Sequence, residues 1–451
     1  MLKERKYGDL YMSILSRFLL KKRINIRKED IDKHKSDINY NKLTLMYKNQ
    51  EVAKLELHKF NKFEVTEIKD KKLFPIGIIN KDNTNDLYSI SGNLTIWMEY
   101  RTVPNSRPNI QECLRKLNIK DTTMLSCKAF GLSFCDSYWL KPDGINISWE
   151  DINLYDNGFS NDIGDMLVDI TSKDNDIDNI DYISPDSTTR GEDIKRWICD
   201  DDNQAYLIKT NLEYEQPAYN EVIANLICKK LGAKCAEYNI VGKKNVVISD
   251  NNGNNTRKTS VFVSSKNFCE KDKMFVPADY LRIITEKNNV RDLIDIIRNE
   301  NPDVYNDFLK MLVLDFIIDN KDRHSENFGF EFDENGKMNF ATIFDNGNSL
   351  YYDDSLNEFY YVHKCKFGAF YNNRTMLDEY ISNARQMQFF DISNFTNIKQ
   401  EIIDILNDSD LCCDRINAIA NFIEHQIEEV QKFKEQLIEK DISIRYEEEI
   451  R

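Results

Sequence analysis

Asp322, Asn327 and Asp345 have the side-chain types and the spacing needed for phosphoryl transfer. Asp322 and Asn327 lie five residues apart in a stretch with little helix or strand character, and Asp345 directly follows a strand-like run. A carboxylate can orient or deprotonate an attacking hydroxyl, and carboxylate and amide oxygens are hard ligands for the Mg²⁺ that bridges nucleotide phosphates. The types and spacing therefore predict Asp322 as the base, with Asn327 and Asp345 as metal ligands.

A predicted β-hairpin would bring these three residues together. The runs FGFEF and MNFATIF flank Asn335-Gly336, and Asn-Gly between strand-like runs is the strongest short-range hairpin signal. Protein kinases have the same five-residue separation between a catalytic Asp and a metal-binding Asn, with a metal-binding Asp after a short hairpin. A polar hairpin with ordinary Asx turns would explain each residue singly, whereas the ordered set favours the kinase interpretation.

Two charged residues further upstream fit the same chemistry. The run Ala205–Thr210 is predicted as a strand containing Lys209, and Pro217–Leu231 is predicted as a helix with Glu221 in its first turn. Glu221 can pair with Lys209 and hold its ammonium toward the α- and β-phosphates of ATP. A solvent-facing lysine and an ordinary acid at a helix N-terminus are the alternatives. Their order upstream of Asp322 favours the pairing.

The segment Ser184–Trp197 is predicted to cover the nucleotide. Its backbone N–H groups and the hydroxyls of Ser187, Thr188 and Thr189 could cradle phosphates, although an ST-rich turn explains the composition equally well. Gly191 is the one glycine in this segment, so it lacks the G-x-G-x-x-G pattern of ordinary protein kinases.

Val261 and Val263 are predicted to contact the adenine. They lie in the strand-like run Thr259–Ser264, where the chain would cross between two lobes. The backbone of Val261 and Val263 is expected to hydrogen-bond the purine edge.

The run Asn320–Asn327 (NKDRHSEN), followed by FDNG at 344–347, resembles the HipA-like kinases, whose motif is Asn-x-Asp-x-His-x-x-Asn. The Asp-Arg-His part is also similar to the phosphatidylinositol kinases, which share the wider fold. The resemblance covers the chain from about residue 183 onward. It implies an ATP-dependent, Mg²⁺-using kinase with a two-lobed core that acts on Ser or Thr.

Individual residues match the family motif. Asp322, Asn327 and Asp345 match the base and metal positions, and Asn220-Glu221 is similar to the start of the corresponding helix. His324 also matches, and its expected role is packing and hydrogen bonding within the loop. The resemblance further implies autophosphorylation, for which Ser187, Thr188 and Thr189 are candidates by position. It also suggests a toxin–antitoxin context, with a regulatory partner bound through the N-terminal region.

Composition limits the other classes of function. The chain has 451 residues, of which 41% are hydrophobic and 30% charged, which indicates a globular protein of two or three domains. Its net charge of −15 argues against general nucleic-acid or anionic-membrane binding, although Lys3–Lys35 is locally basic. No apolar run is long enough for a membrane span. The ten cysteines form no C-x-x-C pair, which favours reduced thiols in a cytoplasm.

The predicted fold class is α+β. We expect a β-rich N-lobe with one key helix at 183–268 and a mostly helical C-lobe at 269–451. A separate small α+β domain of unknown role at 1–158 and a solvated acidic linker at 159–182 would precede this kinase-like core. Aromatic residues at Phe130–Pro142 are interpreted as core rather than as a binding surface.

Hydrophobic periodicity gives the remaining predicted elements. Strands are predicted at Lys42–Tyr47, Val52–His58, Ala236–Val241 and Asn245–Ser249, and helices at Ile14–Leu20, Ile110–Leu117, Val290–Arg298, Val304–Ile318, Met376–Met387, Ile398–Leu406 and Asp414–Glu439.

Two other functions remain open at this level. The same core could serve a lipid or small-molecule kinase, which the acidic balance disfavours for a membrane surface. It could also belong to a non-catalytic pseudokinase that only binds nucleotide. The presence of all five polar residues argues against this alternative: Lys209, Glu221, Asp322, Asn327 and Asp345. The protein substrate and the oligomeric state are not predicted from the sequence.

Overall fold

A computed structural model describes residues 38–80, 83–168, 180–200, 202–249, 255–287, 289–353 and 373–450. The predicted helix Ile14–Leu20, the basic stretch Lys3–Lys35 and an aromatic run at 358–361 lie outside the described residues. Within them the protein is a mixed α+β fold with three antiparallel sheets.

The first sheet contains the predicted N-terminal strands. Its strands have the order β3-β2-β1-β4 and run through β1 Asn39–Tyr47, β2 Gln50–Leu57, β3 Phe63–Ile68 and β4 Tyr138–Asp143. Helix α1, Leu87–Glu99, covers the edge strand β3. The backbone N–H groups of Phe63 and Val65 donate to the hydroxyls of Thr95 and Ser91 at 3.1 and 2.9 Å, so the exposed edge is satisfied by helix side chains.

Five short helices lie between α1 and the second sheet in the chain: α2 Ile110–Lys116, α3 Thr122–Lys128, α4 Trp149–Ile152, α5 Leu154–Asn157 and α6 Asp162–Val168. A solvated acidic linker was predicted at 159–182, and helix α6 corrects this prediction for residues 162–168. Ile163, Met166 and Leu167 recur at helical spacing and are buried, while Asp162 and Asp165 occupy its first turn. The prediction missed this helix because the acidic residues between the apolar ones made the segment look uniformly polar.

The second sheet has the order β5-β6-β8-β7, with β5 Ile194–Cys199, β6 Ala205–Thr210, β7 Tyr238–Ser249 and β8 Asn255–Lys266. Helix α7, Gln216–Lys230, lies between β6 and β7 in the chain and confirms the predicted helix with Pro217 at its start. The two strands predicted between 236 and 249 form the single strand β7.

The third sheet, β11-β10-β9, includes the predicted hairpin. The elements here are β9 Met274–Pro277, α8 Ala278–Ile284, α9 Val290–Glu300, α10 Pro302–Ile317, β10 Gly329–Phe332 and β11 Met338–Phe340. Phe330 pairs with Phe340 across the hairpin. The ring of Phe308 on α10 lies 6.1 and 6.3 Å from those of Phe328 and Phe340, so aromatic packing fixes the hairpin on α10 and the loop between them in place.

Three helices end the described chain: α11 Asn373–Tyr380, α12 Ile398–Leu406 and α13 Cys413–Ile450. The predicted helix Met376–Met387 is interrupted, because Asn383 and Gln386 form a capping box that starts a separate 3₁₀ turn at Ala384–Met387. No helix among the described residues is both long and apolar enough to cross a bilayer.

One hydrophobic core joins the N-terminal sheet to the helical region. It includes Leu43 and Leu45 of β1 together with Tyr280 of α8. The hydroxyl of Tyr280 donates to Ile76 O at 3.0 Å, and its ring packs 5.2 Å from that of Tyr100. The N-terminal block, which we define as residues 38–158, therefore packs directly against α8 and the helical region that follows it.

Candidate active site

Lys209, Glu221 and Asp345 converge on one point in the structure. The ammonium of Lys209 on β6 donates to Glu221 Oε1 on α7, and to Asp345 Oδ1 at 2.8 Å. Glu221 is fully buried. Burial alone would lower the pKa of Lys209, but Asp345 and Glu221 together raise it well above its usual value. Lys209 is therefore held as a cation by two carboxylates.

Asp345 follows β11 in an unusual backbone conformation. Its φ of 61° lies in the left-handed region, which Asp and Asn tolerate better than other non-glycine residues. Burial would raise the pKa of its carboxyl, but the ammonium groups of Lys209 and Lys195 lower it below the ordinary value. Asp345 is thus an ionised carboxylate in a polar, positively charged environment.

Gly347 permits α7 to approach the segment after Asp345. A Cβ at this position would lie 3.2 Å from Pro217 O and 3.5 Å from Glu221 Oε1. On the same side, Asn220 donates to the carbonyl oxygens of Gly347 and Ser349 at 2.9 and 2.7 Å. The Asn-Glu pair at the start of α7 therefore fixes this segment directly.

Asp322 lies in the loop between α10 and β10 with its carboxylate partly open to solvent, at 42% side-chain exposure. Its Oδ2 accepts a hydrogen bond from Asn348 Nδ2 at 2.9 Å. Its carbonyl oxygen accepts from Asn327 Nδ2 at 2.9 Å, which closes the five-residue loop. The structure thus brings Asp322 together with Asn327, and also with the segment that begins at Asp345.

His324 makes the predicted hydrogen bond inside this loop. Its Nδ1 accepts from the backbone N–H of Glu326 at 3.2 Å. The ring is not packed in a core, because 44% of the side chain is exposed.

Arg323 holds the loop and the Asp345 segment together. Its Nη1 donates to the carbonyl oxygens of Asn327 and Phe344 at 2.7 and 2.6 Å, and Nη2 donates to Asn346 Oδ1 at 2.5 Å. Its charge is balanced by Asp315 of α10, and both side chains are almost fully buried. Sequence analysis assigned Arg323 no role, although a charged residue within the motif was a signal.

A cavity opens beside these groups. It is lined by Asp193, Lys209, Thr210, Asn211, Pro217, Ala218, Val263, Asp345, Gly347 and Asn348. Of the predicted site residues, Lys209, Val263 and Asp345 line it directly, and Asn348 connects it to Asp322. Asp193, Asn211 and Asn348 were not singled out from the sequence.

Residues 187–411 match the family model of the HipA-like C-terminal domain. The chain belongs to the HipA-like family. The matched region contains Lys209, Glu221, Asp322, Asn327 and Asp345.

The solved structures that are similar to the chain include the following two. A proinflammatory kinase, CtkA, of Helicobacter pylori is 18% identical over 54% of this chain and 94% of its own, with a TM-score of 0.38. HipA of Shewanella oneidensis MR-1, in a toxin–antitoxin complex with HipB and operator DNA, is 14% identical over 88% of this chain and 99% of its own, with a TM-score of 0.49. Comparison with curated protein sequences gave no match.

In this HipA-like domain, the predicted phosphate cradle is an ST-rich turn. Ser187 and Thr188 are buried, and Ser187, Thr188 and Thr189 donate their hydroxyls to the carbonyl oxygens of Tyr182, Leu132 and Pro185. None of the three lines the cavity. The prediction of a phosphate cradle formed by these hydroxyls is therefore wrong, and the alternative interpretation, an ST-rich turn, is correct.

The predicted backbone contacts of Val261 and Val263 with adenine do not fit the sheet. Strand β8 lies between β6 and β7. Val263 is paired with Lys209 of β6 and Ile240 of β7, and Val261 is paired with Lys243 of β7. The carbonyl of Val261 also accepts from Thr210 Oγ1 at 2.8 Å. Strand pairing and the Thr210 hydroxyl therefore occupy this part of the backbone, and of the two residues only Val263 lines the cavity.

Lys195 is a cation near the cavity that sequence analysis missed. It lies on β5 directly opposite Lys209 in the strand register. Burial, with the nearby charges of Arg107 and Lys209, lowers the pKa of Lys195 to about 8. Two lysines on neighbouring strands thus point to the same side of the sheet.

The donor set of this HipA-like domain fits a hard cation. Asn327 uses its amide N–H in the loop, which leaves Oδ1 as a ligand, and Asp345 is ionised. Among the described residues no group of three or more His, Cys, Asp or Glu is arranged to bind a metal. One amide and one carboxylate suit Mg²⁺, which commonly takes one or two protein ligands plus phosphate oxygens.

Proposed function

We propose that this protein is an ATP-dependent phosphotransferase of the Ser/Thr protein kinase type. The observation that supports the proposal is the convergence of Lys209, Glu221 and Asp345 at one cavity, with Asp322 joined to it through Asn348. This combination supplies a fixed cation, a metal-binding carboxylate and a base, which are the groups that phosphoryl transfer requires.

ATP is proposed to bind with its phosphates at Lys209 and Lys195. Both ammonium groups lie near Asp345, and Glu221 fixes the position of Lys209. Asn327 and Asp345 would hold Mg²⁺, which neutralises charge on the phosphate oxygens when bound. The adenine is proposed to lie toward Val263, with contacts to its side chain in place of the backbone contacts expected from the sequence.

Asp322 is proposed to act on the acceptor hydroxyl. The proton of the acceptor hydroxyl moves to the Asp322 carboxylate as the hydroxyl oxygen bonds to the γ-phosphorus of ATP. The bond from that phosphorus to the bridging oxygen breaks, and ADP leaves with that oxygen. Asn348 orients the carboxylate, and the 42% exposure of Asp322 leaves room for an acceptor side chain. Lys209 and Lys195 stabilise the charge on the transferring group.

The acceptor is proposed to be a Ser or Thr of another protein or of this chain. Phosphorylation of Ser187, Thr188 or Thr189 would first require the buried turn to open, because their hydroxyls are bonded within the fold. Membership of the HipA-like family also leads us to propose an antitoxin-like regulatory partner that binds the N-terminal block.

Incubation of the purified protein with Mg-ATP and mass spectrometry would test phosphotransfer. We expect phosphate on a Ser or Thr, and we expect Asp322→Ala or Asp345→Ala to lower the rate by about 10²–10⁴-fold. Asp295→Ala, which changes an exposed carboxylate on α9, is the control and should retain the parental rate. An Asp322→Ala variant that labels itself at the parental rate would disprove the proposal.

The same experiment separates two other functions. A pseudokinase would bind ATP in a titration with and without Mg²⁺ but transfer no phosphate to itself, to protein or to water. A lipid or small-molecule kinase would consume ATP only when such an acceptor is supplied. Either result would replace the protein-kinase assignment.

A further inference from the structure

An arginine of the N-terminal block binds the backbone of the turn beside the cavity. Arg107 Nε donates to Gly191 O at 2.6 Å, and Nη2 donates to Thr189 O and Arg190 O at 2.9 and 3.0 Å. The Arg107 side chain is almost fully buried. One guanidinium thus satisfies three consecutive carbonyl groups of the segment 188–192, which we call the 188–192 turn.

Other residues of the N-terminal block hold the same turn. Arg190 donates to Glu99 O at 3.0 Å and stacks 4.7 Å above the ring of Tyr100. Ser106 Oγ donates to Glu192 Oε1 at 2.6 Å. The turn is therefore attached to the N-terminal block at both ends and in its middle.

The 188–192 turn also contacts the loop between α10 and β10, which contains Asp322 and Asn327. Arg190 forms an ion pair with Glu326 at 2.8 Å, and Glu326 directly precedes Asn327. The N-terminal block reaches the same loop by a second path, since Tyr100 Oη donates to Asp279 Oδ2 at 2.7 Å and Ser325 Oγ donates to Asp279 Oδ1 at 3.1 Å. The 188–192 turn and the loop that contains Ser325 and Glu326 are thus both connected to residues 99–107.

Gly191 connects the turn to Lys195. Its φ is +94°, and a Cβ at this position would lie 2.1 Å from Lys195 Nζ. The backbone of Gly191 therefore forms one wall of the space that the Lys195 ammonium occupies. A displacement of Gly191 would change where that ammonium lies relative to Lys209, which is directly opposite in the strand register.

We propose that Arg107 is a positioning residue of the active site: it fixes the 188–192 turn so that Gly191 holds the Lys195 ammonium where it meets the nucleotide phosphates. The N-terminal block, for which the sequence indicated no role, then supplies part of the catalytic geometry. This inference rests on the proposed function for its kinetic consequence. Its structural part, that Arg107 holds the turn, does not depend on ATP.

The guanidinium is suited to this role by shape as well as charge. Its planar fork reaches three carbonyl oxygens from a single side chain, whereas a lysine ammonium offers one nitrogen in a different place. We therefore expect Arg107→Lys to retain the buried charge and to lose most of the alignment. Arg107→Ala loses both.

Arg101 provides a matched control in the same block. It is buried to a similar degree, and it donates to Asp136 Oδ2, Gly131 O and Tyr138 O at 2.5, 2.6 and 3.0 Å, none of which belongs to the turn. Arg101→Ala should destabilise the block without acting on Gly191.

Hydrogen exchange of the full-length protein without nucleotide tests the structural part. We expect faster amide exchange in a peptide covering 188–192 for Arg107→Ala, an intermediate rate for Arg107→Lys, and the parental rate for Arg101→Ala. Unchanged exchange in that peptide for both Arg107 variants would overturn the inference, whatever the enzyme does.

Steady-state kinetics test the catalytic part. For Arg107→Lys, which keeps the buried charge, we expect KM for ATP to rise about tenfold, because one misplaced phosphate-binding group weakens nucleotide binding. If the folded Arg107→Lys and Arg107→Ala variants both keep the parental KM for ATP, the inference that Arg107 positions the active site is overturned. If the parental protein transfers no phosphate at all, the proposed function fails, and the exchange result alone decides whether Arg107 holds the turn.

Discussion

Asn348 donates its side-chain N–H to Asp322 at 2.9 Å, and this hydrogen bond links the proposed base to the segment that begins at Asp345. The two residues are 26 positions apart in the chain and belong to different loops. The backbone reinforces the link, since Lys321 N donates to Asn348 O at 3.0 Å. The proposed base and the proposed metal ligand are therefore positioned by one connected structure.

Removal of the Asn348 amide is expected to slow phosphoryl transfer. In Asn348→Ala the Asp322 carboxylate loses a hydrogen bond to its charged form, which is worth about 1.5–3 kcal/mol, so kcat should fall roughly tenfold or more. Asn348→Asp should be slower still because two carboxylates would face each other. Rapid-quench measurement of the chemical step, with thermal melting as the fold control, tests this prediction. Equal rates in the parent and both variants would contradict it.

Arg323→Met is expected to destabilise the protein by about 3–5 kcal/mol, because it leaves the buried carboxylate of Asp315 without its partner. The double variant Arg323→Met/Asp315→Leu should recover part of that loss, since no unpaired charge remains. The exposed pair Arg115–Glu112 is the control, and Arg115→Met should leave the unfolding curve nearly unchanged. Denaturant unfolding monitored by circular dichroism measures all three. A double variant no more stable than Arg323→Met would contradict the charge argument.

Lys209→Met is expected to lower the free energy of unfolding by an amount that depends on pH. Without the ammonium, Glu221 and Asp345 would be two close carboxylates, and burial would keep the pKa of Glu221 above its ordinary value of 4.5. A raised carboxyl pKa contributes stability at low pH that is lost as the pH rises through the folded-state pKa. The stability gap between Lys209→Met and the parent should therefore narrow on acidification from about pH 7 to 5. Urea unfolding at several pH values gives the result, and a constant gap would refute the prediction.

ATP binding is expected to weaken as the pH rises through about 8, the pKa of Lys195. Below that value Lys195 is protonated and attracts phosphate, and above it the group is neutral. The second pKa of a phosphate ester is about 6, so the charge of the nucleotide changes little between about pH 7.5 and 9, and the trend would come from the protein. Isothermal titration at several pH values should give a falling affinity for the parent. Lys195→Gln should bind more weakly at pH 7.5 with a flatter profile, and identical slopes would exclude Lys195 as the source.

The elements that local patterns define were predictable from the sequence. Helix α7, strand β6 and the hairpin β10–β11 have clear periodicity and turn residues, so the ordering of Lys209, Glu221 and Asp345 along the chain already implied their meeting. The chemistry of the residue types gave their proposed roles. The order of the strands, the burial of individual side chains and the contacts of the N-terminal block depend on pairing between distant segments, which a single sequence does not show.

Non-local pairing explains the corrections. Val261 pairs with Lys243 of β7 and its carbonyl accepts from Thr210 Oγ1 of β6, and no local pattern indicates this strand order. The hydroxyl of Thr188 finds its acceptor at Leu132, 56 residues away, so its burial could not be anticipated. Arg107 contacts Gly191 across 84 positions, and its role is likewise invisible in a single sequence.

The shared core limits how this protein can be recombined. Tyr280 of α8 reaches back to Ile76, and Arg107 and Tyr100 reach forward to the turn and to Asp279, so matching surfaces occur on both sides of residue 158. A chimera that exchanges only one side with a diverged relative would mismatch both the core and the cavity wall. The two parts are therefore expected to be inherited and exchanged as a single unit.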